Sequence, residues 1–586
     1  MKRLILTEKP SVAKSFAKAL GCHYSTQTKT FINEGKDTEI INCVGHLYRL
    51  KNPEEYDSRF RNWSALPVIP DQFQYEVNPS VKDVCRLVNS KIKAYAKGEI
   101  IIATDADREG EVIARECLMM AKITDTSRIR RFWESQALTD EVILEGLRRA
   151  KPLKDFDRLA LQGFARQKAD WLCGMNFTRY LAVNADRTFR AGRVQTALLS
   201  EIEKRSHAIR DFKSKKYYEG NCVLTDPSGN TVTAVYEDEN ENRRFDSPYD
   251  LDFLKREKGR AVRLKETESK EVRENPPQLY NLSGLQKDAF RYFGYSAEKT
   301  LSIAQKLYEE YKCTSYPRTP SVVMGDDNVE LCNITFSKMT MSYPEYMGLL
   351  SHAFISGDNK RIFDSSRLDS HHALIPLEPV PANATYEEQN VYNLILERFM
   401  LAFAPVSVYE KTDVKLDAGG NVLCLEGKKV TDKGWKAYMR FLQQFEKKEE
   451  VQDISLCDLK NLILMEVKPQ EKETRAPKFY NEASVIAFME NPSGKTSEGE
   501  KLTGLGTPAT RHTFIPKLLK IEGIKVDSKK NISITPKGEK LLEAVRASRF
   551  FGIADTERTT LWEKELDSDP EGFLKDITKY VSESVS

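Results

Sequence analysis

The stretch EIIIATDADREGEVIARECLMMA, residues 99–121, constrains the chain more than any other part of it. Its isoleucine run is short and bounded by turn residues, so it reads as a strand. The apolar positions after Gly110 recur at helical spacing. The same order appears at the start: RLILTE is a short strand, PSVAKSFAKAL has helical spacing, and EIINCVGHLYRL returns to strand character. This βα alternation predicts an open, mostly parallel sheet. Ligands of such sheets lie beyond the C-terminal ends of the strands. Glu8 and the DADRE segment both fall at such ends.

The remaining 400-odd residues of this 586-residue chain repeat a coarser pattern. Residues 151–212 read as helical and YYEGNCVLTDPSGNTVTAVYEDENENRRF as strands. GLQKDAFRYFGYSAEKTLSIAQKLYEEYK and TYEEQNVYNLILERFMLAFA are again helical. VSVYEKTDVKLDAGGNVLCLEG reverts to strands after Pro405, and helices resume near 480. A chain this long carries about three to five domains, and this order predicts nested ones, left and re-entered. The charged runs EDENENRR and QQFEKKEEVQD read as solvated loops. No apolar run approaches the roughly 18–20 residues of a membrane span, and LIL after the two N-terminal basic residues is too short for a secretory signal. Ten scattered cysteines with no C-x-x-C pair argue against zinc ribbons and a disulfide framework, and for a reducing cytoplasm. A net charge of +3 does not by itself point to nucleic acid, although a local basic surface can hide in that sum.

Several groups can carry chemistry. Asp105, Asp107 and Glu109 place carboxylates at alternate positions after an apolar strand, a donor set suited to Mg2+. The plain alternative is that acids favour the first turn of a helix, near its positive dipole end. Glu8 adds a fourth carboxylate, with Lys9 beside it for an acid–base role and a phosphate contact; otherwise it is a capping acid. FRAGRVQTALL puts Arg190 and Arg193 around a glycine before a helix, which is either a phosphate cradle or a cap with solvated arginines. Arg166 and Asp170 stand at i, i+4, the spacing of a helix ion pair. SGKT at 493–496 resembles the tail of a P-loop, but the glycine required five residues before Gly494 is Met489 and no strand precedes it. In CTSYPRTPS, Pro317 biases Tyr316 towards extended backbone, and Arg318 then points to the same side as Tyr316. A phenol with its usual pKa of about 10 needs a nearby cation or base to act as a nucleophile. Tyr316 is either that nucleophile or a packed aromatic. The inventory of tyrosine, arginine, carboxylates and phosphate cradles suits phosphoryl transfer through a phosphotyrosine.

With these residues in place, the chain resembles the type IA DNA topoisomerases, in their topoisomerase III branch. LTEKPSVAK, VGHLYRL and ATDADREGE resemble the family's Toprim domain. ARQKADWLCGMNFTRY and AGRVQTALL resemble its helical gate. TSYPRTPS resembles its tyrosine motif, and SHHALIP and GLGTPATRHTFIPKLL follow in the family's order. The resemblance implies a toroidal four-domain architecture: an α/β Toprim domain (1–150), a helical gate (151–212 with 470–586), a β-rich hinge (213–280 with 405–469), and a helical domain carrying the tyrosine (281–404). It implies ATP-independent cutting of one strand, with Tyr316 forming a 5′-phosphotyrosine and Arg318 stabilising the phosphoryl group. Glu8 would serve as acid then base, Lys9 would position the phosphate, and His371 would be an active-site histidine, with His372 the weaker candidate. Asp105, Asp107 and Glu109 would hold Mg2+, chiefly for religation. Arg166, Asp170, Arg193, Gln195 and Arg511 would contact or position DNA. The expected substrates are single-stranded DNA and negatively supercoiled or catenated DNA. The expected setting is a cytoplasmic, nucleoid-associated monomer with a helicase partner and no membrane. Pro320 departs from the family, which carries an acid there, and implies weaker cleavage or religation if that acid orients Arg318 or the metal site; no cysteine-rich tail follows LWEKELDSD, implying weaker duplex binding. A Toprim nuclease or primase would share Glu8 and the acidic cluster without needing Tyr316. A single-strand binding protein would explain only the arginines.

Overall fold

The structure is a computed structural model describing residues 2–368, 371–445, 452, 454–492 and 504–585. The SGKT run and residues 446–451 and 453 of the charged QQFEKKEEVQD stretch lie outside these residues.

The isoleucine run forms the Glu99–Ala103 strand, beside the central Arg3–Thr7 strand of a seven-stranded sheet. It pairs in parallel with Arg3–Thr7 and Ile129–Arg131, and Arg3–Thr7 pairs in parallel with Thr38–Asn42. Short antiparallel strands, His23–Ser25, Thr30–Asn33 and Lys151–Pro152, complete the edges. The run is apolar at every position because both faces are covered. Leu4, Leu6, Ile100 and Ile102 pack on one side, and Ile5, Ile40 and Ile101 on the other. The second core also takes in Tyr308 and Tyr316, more than 200 residues further along the chain. EIINCVGHLYRL divides: Tyr48–Leu50 leaves the main sheet and pairs with Tyr75–Val77.

Helices Asp157–Asn184 and Arg193–Arg210 share a core with residues 480–585. Residues 279–404 build a separate core from helices Leu282–Phe293, Ala297–Glu309, Val329–Ser342 and Tyr386–Ala402. Between these two bodies stands a closed six-stranded barrel. Leu224, Val232, Leu416, Leu423 and Leu464 fill its interior. Some of its strands continue past that interior as ribbons with mostly accessible faces. Lys216–Thr225 with Leu462–Glu473 leads to the first helical body; Ala261–Glu274 with Ser407–Ala418 and Asn421–Asp432 leads to the second.

Candidate active site

The site begins where strand Glu99–Ala103 ends. Asp107 caps helix Arg108–Met120, its Oδ1 accepting the Gly110 N–H at 2.8 Å. The Thr104 hydroxyl donates to the Gly110 carbonyl at 2.7 Å, folding the loop back on the helix start. A Cβ on residue 110 would stand 2.2 Å from the Asp105 carbonyl oxygen, so this turn admits only glycine. From the neighbouring strand, fully buried Arg131 donates to the carbonyls of Thr104 (2.8 Å) and Asp105 (2.6 Å) and to Glu111 Oε2 (2.9 Å). The acidic loop is therefore held by its backbone and by Asp107 Oδ1, leaving Asp107 Oδ2 and the Asp105 carboxylate to face the site.

The 279–404 body supplies the other wall. Tyr316 follows the extended course that Pro317 demands, and its N–H donates to the Ser135 carbonyl at 2.8 Å. Its hydroxyl donates to Asp107 Oδ2 at 3.0 Å. Arg318 Nη1 lies 3.8 Å from Asp105 and 3.7 Å from Asp107. Lys9 Nζ bridges Asp105 (2.9 Å) and Glu309 (2.7 Å). Glu8 accepts the Asp105 N–H at 3.2 Å. His371 bonds Ser135 Oγ at 2.7 Å and the Ala106 carbonyl, stacks on Trp133, and packs its ring 4.7 Å from that of Tyr316. Burial, then the charges of Asp105 and Asp107, raise the Glu8 pKa to about 8, so it is an acid at neutral pH. Burial and the Asp107 and Asp105 carboxylates likewise push the Tyr316 phenol up. Burial lowers His371 to about 4 and keeps it neutral. Phenol, protonated carboxylic acid, guanidinium and ammonium thus converge from two bodies on one space, a set able to exchange one phosphoester for another.

The family described as "DNA topoisomerase" matches residues 154–576, and "Toprim domain" matches residues 3–134. DNA topoisomerase 3 of Bacillus licheniformis is 32% identical over 609 aligned residues, covering 100% of this chain and 81% of that protein. DNA topoisomerase 3 of Bacillus subtilis is 31% identical with the same coverage. The chain belongs to the type IA DNA topoisomerase family. In fold it is similar to full-length topoisomerase I from Thermotoga maritima, with a TM-score of 0.75 at 21% identity, covering 100% of this chain and 90% of that one.

In this topoisomerase the expected residues fall into three groups. Tyr316, Arg318, Glu8, Lys9, Asp105, Asp107 and His371 are brought together as described. Arg166, Asp170 and Gln195 line a cleft of about 450 Å3 between the Toprim helix Arg108–Met120 and the Arg193–Arg210 helix start, joined by Arg108, Phe514 and Lys517. Three others are claimed by protein partners. Arg193 lines the same cleft with its side chain buried, held by Asp170 (2.8 Å) and Glu563 (3.0 Å). Arg511 turns back from its short helix to the carbonyls of Leu505 and Gly506, both at 3.1 Å, and is buried in stabilising that turn. Glu109 is drawn to His46 at 2.6 Å, away from the aspartates. Among the described residues no three His, Cys, Asp or Glu side chains converge on one point as a metal site. Asp105 and Asp107 are the hard oxygen donors that Mg2+ takes, with Arg318 and Lys9 on their positive side.

Sequence reasoning passed over His46, Arg131, Ser135 and Glu309. His46 lay within the quoted VGHLYRL, after Gly45 at φ +79. The others carry no local signal, since each acts on a partner distant in sequence. All ten cysteines are free thiols. No described helix is long and apolar enough to cross a membrane.

Proposed function

We propose that this topoisomerase cuts one DNA strand with Tyr316 and reseals it after strand passage. The Tyr316 hydroxyl standing 3.0 Å from Asp107, beside Arg318 and Glu8, carries the reading. In cleavage the phenol oxygen bonds to phosphorus, the P–O3′ bond breaks, the phenol proton passes to Asp107, and Glu8 gives its proton to the departing O3′. Religation runs the same transfers backwards, with Glu8 taking the proton of the 3′ hydroxyl. Arg318 and Lys9 offset charge on the transferring phosphoryl group. His371, neutral and stacked on Trp133, positions the tyrosine ring. Asp105 and Asp107 would hold Mg2+, which supplies charge neutralisation beside the phosphate.

The cleft with Arg166, Gln195 and Lys517 is the entry for a single strand, which sets single-stranded regions of supercoiled or catenated DNA as substrate, met in the cytoplasm at the nucleoid. The division into 1–150, 151–212 with 470–586, 213–280 with 405–469, and 281–404 assigns one half of the chemistry to the Toprim domain and the other to a tyrosine domain that swings on the barrel. The separate packing of the 279–404 core supports this.

The test mixes the protein with single-stranded DNA labelled at either end, then denatures it. Label retained on protein only from the 3′ side of the cut, and lost in Tyr316→Phe, is the expected result. Free cut ends without an adduct would make the protein a nuclease instead.

A further inference from the structure

His46 makes an unusual pair of contacts. Its Nε2 lies 2.6 Å from Glu109 Oε1 and its Nδ1 2.9 Å from Glu116 Oε2. Carboxylate oxygens only accept, so both ring nitrogens donate and the ring is a cation. The clasp is braced from behind. Glu116 is fully buried, and its other oxygen accepts from Gln167 Nε2 at 2.8 Å on helix Asp157–Asn184. Gln167 Oε1 in turn accepts the Tyr75 hydroxyl at 2.7 Å. Glu109 itself is loosely surrounded, its side chain 56% exposed, so its direction is set by its partner and not by packing. On the other side of the loop Asp105 and Asp107 meet Lys9 and Arg318.

We infer that His46 is a positioning residue that withholds Glu109 from the metal. The Toprim loop of this chain then offers Mg2+ two carboxylates, Asp105 and Asp107, while Glu109 serves as an anion paired with His46 at the mouth of the strand-entry cleft. This rests on the reading of that loop as the Mg2+ site. Its consequence is a weaker, more readily exchanged ion than three carboxylates would bind, because each lost acidic ligand lowers the affinity of a hard cation.

The test is calorimetric titration of the DNA-free full-length protein with Mg2+, for wild type, H46Q, E109Q and H46Q/E109Q. E109Q in the wild-type background is expected to shift Kd by less than about twofold, and H46Q to tighten it by about tenfold, the scale on which groups around a metal's ligands act. The double variant should return to the wild-type value, because the gain runs through Glu109. Weakening of about tenfold or more in E109Q alone would overturn the inference, since Glu109 would already be a ligand; this arm decides the matter even if H46Q does not fold. An unchanged Kd in folded H46Q would overturn it too, with the metal reading intact. No Mg2+ binding in any of the four would remove the metal reading and the inference together, leaving the Tyr316 chemistry standing.

Discussion

The seam between the Toprim loop and the tyrosine body, and the ribbons that leave the barrel, hold the molecule together in opposite ways. Across the seam Tyr308 and Tyr316 enter the Toprim sheet's second core, and the polar links are single side chains: Lys9 and Ser11 to Glu309 (2.7 and 3.0 Å), Lys312 to Ser15 (2.7 Å) and Tyr316 to Asp107 (3.0 Å). Each such bond nets about 0.5–1.5 kcal/mol and can be replaced by water. The ribbons bury little, yet their backbone ladder runs without a break in pairing from Glu266 with Lys415 to Glu274 with Ser407. A seam of replaceable contacts opens; a ladder bends as one piece. The chemistry therefore sits at the junction built to separate, and the tether sits where nothing needs to react.

Substitutions on the two sides sharpen this contrast. The largest effect is expected from Tyr316→Phe, which should bring the covalent adduct below detection. Its urea midpoint should barely move, because one hydrogen bond of about 1 kcal/mol is lost. Arg131→Met should cost about 3–5 kcal/mol in urea denaturation, since it leaves fully buried Glu111 with Arg115 alone and unpairs the carbonyls of Thr104 and Asp105, and should reduce cleavage by loosening the acidic loop. Leu416→Ala in the barrel should cost about 2–5 kcal/mol yet leave cleavage of a short single strand intact. Equal losses of cleavage in these two variants would break the separation between chemistry and tether.

A pH series reaches the seam through Glu8. Glu8 is raised to about 8, so its contribution to stability is complete below about pH 4.5 and disappears as pH climbs through about 8. Single-turnover cleavage should fall about tenfold for each pH unit above that value as the proton donor is lost, and Glu8→Gln should flatten the profile at a lower rate. The smallest effect belongs to the ribbon surface. Lys216→Ala removes a 2.8 Å pair with Glu471 between two largely exposed side chains, and should leave the urea midpoint unchanged.

Much of the seam was legible in the sequence, because local rules place it. An apolar run ending in alternating acids gives a buried strand and its loop. A tyrosine before proline, with an arginine two residues on, gives an extended segment with both side chains on one side; Tyr316 and Arg318 do meet Asp107 together. What stayed hidden depends on distant partners. Arg193 has the look of a phosphate ligand at a helix start until Glu563, 370 residues later, arrives to bury it. Arg511 likewise reads as a surface cation until the carbonyls of Leu505 and Gly506 are seen to claim it. Four of the barrel's strands were visible, but not Ala261–Glu274 or Leu462–Glu473, nor the closure, because the six come from two separated stretches of chain whose pairing no spacing reveals.

Glu274 and Ser407, the residues on either side of the tyrosine body, are partners across the same ribbon. The 279–404 segment therefore enters and leaves its body at one point, and the ribbon, with Asn421–Asp432 as its third strand, acts as a lever arm whose length sets the reach of Tyr316. Each rung deleted across the three strands would shorten the arm by about 3.4 Å. Deleting two rungs preserves which face each side chain takes, whereas deleting one reverses every face. Aperture and side-chain orientation can thus be tuned separately, in even and odd steps.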